Sequence, residues 1–333
     1  MDMLYFVLQH TMFFMIPLLI VALGGLFSEK SGVVNIALEG KMVLGAFTGT
    51  MFIRHIQHSI DDRLAEGLEL TGMLNILSNP VPLLFTALLL SALTGVAVSL
   101  LHAFASINLK ANQVISGVAI NMFAPALAIY VAMLVLEVQH VRFTNQFRIE
   151  SVRVLGDIPI LGPILFQNAY ITTYLGFLIL AVTAFVLYKT KFGLRLRACG
   201  EHPQAADSVG VSVAKMRYAG VLTSGVLAGI GGLIWVLPIS NEFSGSVGGY
   251  GFLALAVLIF GAWKPQRILL ASLFFGFMQT IAAANTAIAF LPAIPAQFYR
   301  MTPFIATLIV LAFTSKNTMA PKAAGQPYDK GGR

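Results

Sequence analysis

The sequence predicts an all-α, polytopic membrane protein, a bundle of about nine spanning helices with its N-terminus outside and its C-terminus inside. Three observations carry that reading. Of 333 residues, 57% are hydrophobic and only 11% charged, with a mean hydropathy of +0.83, whereas a soluble domain carries about 25% charged residues. Apolar runs recur along the chain at the length of roughly 20 residues that a hydrocarbon core of about 30 Å requires. Lysine and arginine divide unevenly between alternate loops, 15 against 6, and the richer side faces the cytoplasm. The net charge of +7 follows from that bias, so it implies membrane lipid around the chain and no nucleic-acid partner.

In chain order the spans are expected near 4–27, 35–53, 81–104, 112–136, 168–188, 217–239, 250–263, 267–290 and 299–314. The opening MDMLYFVLQH lacks the positive region of a signal peptide, so the first span is expected to stay in the mature protein. A membrane domain over 1–315 is followed by a polar, Gly- and Lys-containing tail, 316–333, expected to be cytoplasmic and disordered.

Two outer loops stand out, 54–80 and 137–167. In the first, Ile56, Ile60, Leu64 and Leu68 recur every fourth residue among charges, the pattern of a short amphipathic helix on the membrane surface or a neighbour. His55 and His58 lack a third partner, so no metal site is read there. The second loop contains GDIPILGPILF, whose prolines and glycine point to an ordered, non-helical approach to the next span.

Two spans are irregular. The run SEKSGVVNIALEGKMVLGAFT from Ser28 carries Glu29, Lys30, Asn35, Glu39 and Lys41 in or beside hydrocarbon. The run SVGGYGFLALAVLIFGAW from Ser246 holds about 13 apolar residues, about 20 Å of helix, too short to cross alone. Both read as broken helices. They fall in the second and seventh spans, five apart, which places them at matching points of two inverted halves, the arrangement that marks a transport site near the midplane. Glu39 is read as pairing with Lys30 or lining the path, and Lys41 as reaching the inner surface. In the fourth span Asn112 and Gln113 suit a cap or an interface, while Asn121, about two turns deeper, is the candidate for the path. The sixth span sets Gly220, Ser224, Ala228 and Gly232 at steps of four, with Gly225 and Gly229 beside them, a surface for close helix packing.

The polar segment 189–217, KTKFGLRLRACGEHPQAADSVGVSVAKMR, carries six cations beside two spans and is read as a cytoplasmic docking loop. Within it, Glu201, Pro203, the alanines and Gly210 suit a short helix and its end. The sole cysteine, Cys199, excludes an internal disulfide and is read as a small loop residue. No nucleotide-binding Gly-x4-Gly-Lys-Ser/Thr loop, His-Glu-x-x-His or Gly-x-Ser-x-Gly motif occurs. The chain therefore shows no catalytic residues and no metal or cofactor site of its own.

At the docking loop the sequence resembles the membrane-subunit family of ABC importers for simple sugars, nucleosides and branched-chain amino acids. The matches are Gly193, Leu194, Arg195, Leu196, Arg197, Ala198, Gly200, Glu201, Ala205, Ala206 and Gly210. GLFSEKSGVVNIALEGKMVLGAF from Gly25, ANQVISGVAINMF, and GYGFLALAVLIFGAWKP from Gly249 resemble the nucleoside branch, and the likeness runs from about 17 to 312. Cys199 and the longer, more charged loop 54–79 depart from the family pattern.

The resemblance implies that Arg195, Arg197, Gly200, Glu201, Ala205, Ala206 and Gly210 couple the chain to a cytoplasmic ATPase that hydrolyses ATP on another polypeptide. It implies a second permease subunit, paralogue or identical copy, and an extracytoplasmic substrate-binding protein. Asn35, Glu39, Asn121, Tyr250 and Phe252 then stand along the path of a nucleoside-like solute, and the chain itself is no enzyme. Riboflavin or a simple sugar is the alternative solute. An ion-coupled transporter using Glu29 or Glu39 is the alternative class.

Overall fold

The computed structural model describes residues 2–153, 155–156, 158–159, 162–284, 295–314 and 319–329. Helices dominate: α1 (Asp2–Lys30), α2 (Leu38–Ala65), α3 (Gly72–Leu77), α4 (Pro80–Ala103) and α5 (Gln113–Leu136) form the first half. After them come α6 (Ile171–Lys189), α7 (Lys191–Glu201), α8 (Pro203–Ser208), α9 (Val213–Ile239), α10 (Tyr250–Phe260), α11 (Pro265–Ala284) and α12 (Ala296–Thr314). Two short antiparallel ribbons qualify the all-α expectation: β1 (Val141–Arg142) pairs with β4 (Glu242–Phe243), and β2 (Arg148–Ser151) with β3 (Gln167–Tyr170).

Six helices among the described residues are long and apolar enough to cross a membrane: α1, α4 with its π-helical extension to Asn108, α5, α6, α9 and α11. The chain is thus a multi-pass membrane protein. Where nine spans were expected, α2 mixes its apolar half with a charged C-terminal half, and α10 has only 11 residues. The end of the eighth expected span, 285–290, lies outside the described residues.

Several expectations change on contact with the structure. The amphipathic segment 54–68 is no separate surface helix, because α2 continues unbroken to Ala65, burying Ile56 and leaving Leu64 exposed. The approach to α6, expected to be non-helical, contains a π-helical turn at Gly162–Phe166 before β3, while residues 157, 160 and 161 lie outside the described set. The docking loop forms two helices where one was expected. Glu201 closes α7, and Pro203 opens α8 after a break at His202. Gly210 follows α8 at φ +83°, a left-handed conformation that glycine adopts without strain.

Residues 319–329, expected to be disordered, are turns pinned beneath the bundle. Ala323 N donates to Gly200 O (2.9 Å) and Gly325 N to Gly32 O (3.2 Å), so the backbone finds partners that a free tail would lack. Residues 315–318 and 330–333 of the expected tail lie outside the described residues.

The core is built on α9 and α1, whose lengths are largely buried, while α5 and α6 present most of their surface outward. Small residues let this happen. Gly225 packs on the carbonyl of Gly95 and Gly229 on that of Ser91, both on α4. Gly232 packs on the carbonyl of Met42 in α2, and a Cβ on Gly220 would sit 2.7 Å from Phe27 O in α1. Ala228 is fully buried between these neighbours, and Ser224 Oγ accepts a bond from Asn35. Backbones this close gain dispersion contacts that larger side chains would forbid. Replacing Gly225 by valine is therefore expected to cost about 1–3 kcal/mol or more, read as a lower unfolding midpoint in detergent, whereas Ala283→Val on an exposed face of α11 should change it little.

Candidate functional site

Two helix breaks meet inside the bundle. The first follows α1: residues 31–37 turn back on its end through Ser31 N to Ser28 O (3.0 Å) and Gly32 N to Glu29 O (2.9 Å), with Gly32 at φ +95°. The second lies between α9 and α10. There Gly245, Gly248 and Gly249 all take positive φ, so the segment after β4 descends without helical bonds until Tyr250.

Glu39, in the first turn of α2, joins the two. Gly249 N donates to its Oε1 (2.9 Å) and Gly251 N to its Oε2 (2.6 Å), so one carboxylate caps the N-terminus of α10. A helix start leaves N–H groups unpaired and carries partial positive charge, and an anion there answers both. Gly251 is required because its Cα lies against the backbone of Leu38 and Glu39, where any Cβ would collide. Glu39 pairs with no lysine among the described residues, contrary to one expectation, and each of its carboxylate oxygens accepts from a backbone N–H at the start of α10.

Asn35 and Asn121 also turn out to hold the break. Asn121 Oδ1 accepts from Gly40 N (2.8 Å) and its Nδ2 donates to Ile36 O (2.9 Å), which ties both sides of the turn to α5. Asn35 Nδ2 donates to Ser224 Oγ on α9 (2.8 Å), and its Oδ1 accepts from Lys41 Nζ (2.9 Å). Lys41 does not reach the inner surface; it is fully buried. A buried amine needs a hydrogen-bond partner, which makes this polar link costly to break.

Three further side chains hold the break, of which Gln113 was expected at a cap or an interface and His102 was not singled out in the sequence. Gln113 Oε1 accepts from Val34 N (2.7 Å), His102 stands 3.0 Å from Ser116 Oγ and 3.1 Å from Val34 O, and Trp263 Nε1 donates to Glu29 Oε2 (2.5 Å). For Gln113 and His102 the signal was available as polar residues on otherwise apolar helices. Asn112 caps α5 as expected, accepting from Val114 N and Ile115 N.

Of the five residues assigned to a solute path, Asn35, Glu39 and Tyr250 are buried and Asn121 is spent on backbone. Phe252 alone is widely exposed, at 47%. Ser244, Ser246 and Gly248, shortly before it in the chain, are also exposed, and a Cβ on Gly248 would touch the Trp235 ring at 3.4 Å. Irregular polar backbone at membrane depth survives only beside water or protein. This stretch, with the half-buried Trp235 behind it, is the candidate lining.

On the other side of the first break lies the docking segment. Gly200 packs directly on the carbonyl of Lys30, so α7 touches the end of α1. Arg195 is exposed and Arg197 Nε donates to Gly193 O (3.3 Å), with its guanidinium 5.2 Å from the Tyr188 ring centre. Glu201 and Ala205 are accessible while Ala206 is buried, so α8 offers one open face. Cys199 is fully buried beside Ala206 and Val213, and that burial pushes its thiol pKa up, leaving it a poor nucleophile.

Residues 7–313 match the family described as branched-chain amino acid transport system / permease component. The guanosine ABC transporter permease protein NupQ of Bacillus subtilis is 40% identical, covering 100% of this chain and 99% of its own. The nucleoside ABC transporter permease protein NupC of Lactococcus lactis is 37% identical over 98% of each chain. NupB of the same organism, also a nucleoside ABC transporter permease protein, is 27% identical over 46% of this chain and 43% of its own. No solved structure matches.

The clamp on α10 makes a direct prediction. Glu39→Ala orphans the buried Gly251 N–H, at about 1–3 kcal/mol, and the part-buried Gly249 N–H with it, and should lower the unfolding midpoint in detergent clearly. Glu39→Gln keeps an acceptor and should lower it less, by circular dichroism on the same preparation.

Proposed function

Because the chain belongs to the branched-chain amino acid transport system / permease component family, we propose that it is one membrane subunit of an ATP-driven importer of nucleosides, with guanosine the first candidate. The full-length likeness to NupQ and NupC carries the reading. The site agrees with a neutral solute. The positive end of a half-helix ordinarily attracts anions, but here the Glu39 carboxylate already occupies it. Phe252 and Trp235 offer aromatic faces for a base.

In this reading the chain crosses the bacterial inner membrane nine times, N-terminus outside, with α2, α10 and α12 supplying the crossings beyond the six long apolar helices. Its two breaks belong to inverted halves. It pairs with a second permease subunit, for which the partial likeness to NupB supports a paralogue. An extracytoplasmic binding protein delivers the solute to the outer face, and a separate ATPase grips α7 and α8.

The transport cycle follows from the contacts. Closure of the ATPase pair moves α7, which bears on the end of α1 at Lys30 and continues through α8 into α9. α9 carries Ser224, hydrogen-bonded to Asn35 in the first break, so the shift reaches the turn that positions Glu39 and the start of α10. The stretch bearing Ser246 and Phe252 then changes the side to which it opens. No bond in the solute is made or broken; the chain supplies a path, and the hydrolysis occurs elsewhere.

Vesicles holding this chain with its ATPase, second permease and binding protein are expected to take up labelled guanosine only with ATP. Ribose and riboflavin in the same assay should be carried poorly. Uptake driven by a proton or sodium gradient without ATP would overturn the assignment.

A further inference from the structure

Arg217 sits near the start of α9 and read, from sequence, as one more topological cation. It is 1% exposed. Burying a guanidinium is expensive unless its donors are used, and this one reaches the C-terminal segment: Nη1 donates to Gln326 O (2.9 Å), and Tyr328 lies with its ring centre 6.0 Å from the guanidinium carbon. Nε and Nη2 find no acceptor among the described residues, and they lie against Gly32, where a Cβ would stand 3.0 Å from Nη2.

The segment that Arg217 holds touches every moving part on this side. Ala323 N bonds Gly200 O at the end of α7, and Gly325 N bonds Gly32 O in the first break. Tyr328 packs on the cluster of Cys199, Ala206 and Val213, which joins α7, α8 and α9. Lys110 and Asp329 form an ion pair at 3.1 Å, but both are exposed, so it adds little.

We infer that Arg217 is a positioning residue for coupling: it seats residues 319–329 as a strap that makes the docking helices and the first break move as one. The strap bridges Gly200 to Gly32, and Asn35 and Glu39 follow on the same turn. Without it, α7 keeps its direct contact at Lys30 but loses its link to Gly32. ATP is then spent with less solute moved. This role rests on the importer reading but not on the identity of the solute.

The test uses the assembled transporter in proteoliposomes. Arg217→Gln and a truncation after Thr318 are compared singly and together, reading solute imported per ATP hydrolysed. Each single change is expected to lower that ratio by about fivefold or more, the scale of a typical coupling between sites, while the ATPase still copurifies. The double variant should fall no further, because both changes remove the same link. Arg217→Lys, which keeps a donor, should recover part of the ratio. An unchanged ratio after truncation, or a double effect equal to the product of the single ones, would overturn the proposal. Amide exchange supplies a readout independent of transport: the N–H groups of Ala323 and Gly325 should be protected in the native protein and released in Arg217→Gln. Rapid exchange in the native protein would also refute it. A native complex that imports no nucleoside would instead strike at the substrate reading, and the exchange result would still stand or fall alone.

Discussion

The carboxylate of Glu39 holds the architecture together at its weakest point. Two helices begin inside a membrane bundle, and each beginning exposes N–H groups that hydrocarbon cannot satisfy. At α10 those groups bond Glu39, which itself stands in the first turn of α2, so one break is closed with a residue from the other. The arrangement also dictates glycine at 251, where the two backbones touch. Everything nearby acts to fix the turn that presents Glu39: Asn121 from α5, Gln113 and His102 on Val34, and Lys41 with Ser224 on Asn35.

Around that point the bundle is rigid by close packing. The small residues of α9 bring α1, α2 and α4 within backbone contact, so a displacement of α9 is passed on, not absorbed. This is useful because α9 starts where the docking segment ends. The path from α7 to the first break is short and runs through hydrogen bonds and backbone contacts, with few flexible side chains between. Away from the docking segment, Gln57 bonds the backbone of Thr144 and β1 pairs with β4, which leads straight into the irregular segment before α10. Events at either surface therefore bear on the same short stretch.

Much of this was legible in the sequence, and the parts that were not share a cause. Apolar length exposed the long helices, and the short run after Gly249 exposed the broken one, because bilayer thickness fixes how many residues a crossing needs. The glycine steps on α9 announced close contacts, although not with which helices. Partner choice was the hidden part. Nothing local to Glu39 says that its acceptors face Gly249 and Gly251, more than two hundred positions away, and nothing local to Asn121 says that its amide is consumed by the turn at Ile36 and Gly40. Lys41 was misplaced for a related reason: a lysine near an expected membrane surface ordinarily extends toward water, and here Asn35 holds it inside. Composition likewise hid the tail, since a segment rich in Gly, Pro and Lys looks unfolded until Arg217 and the ends of α1 and α7 give its backbone partners.

The central claim is that the irregular segment before α10, with Phe252, lines a watery path inside the membrane. Ser246→Cys tests it most directly, since Cys199 is the only native thiol and is buried. A membrane-impermeant thiol reagent applied from outside to the assembled transporter should label position 246, and bound solute should slow the labelling. Leu134→Cys, on the outward surface of α5, is the comparison and should react far more slowly. Equal rates at the two positions, or no reaction at 246 in any nucleotide state, would contradict the account.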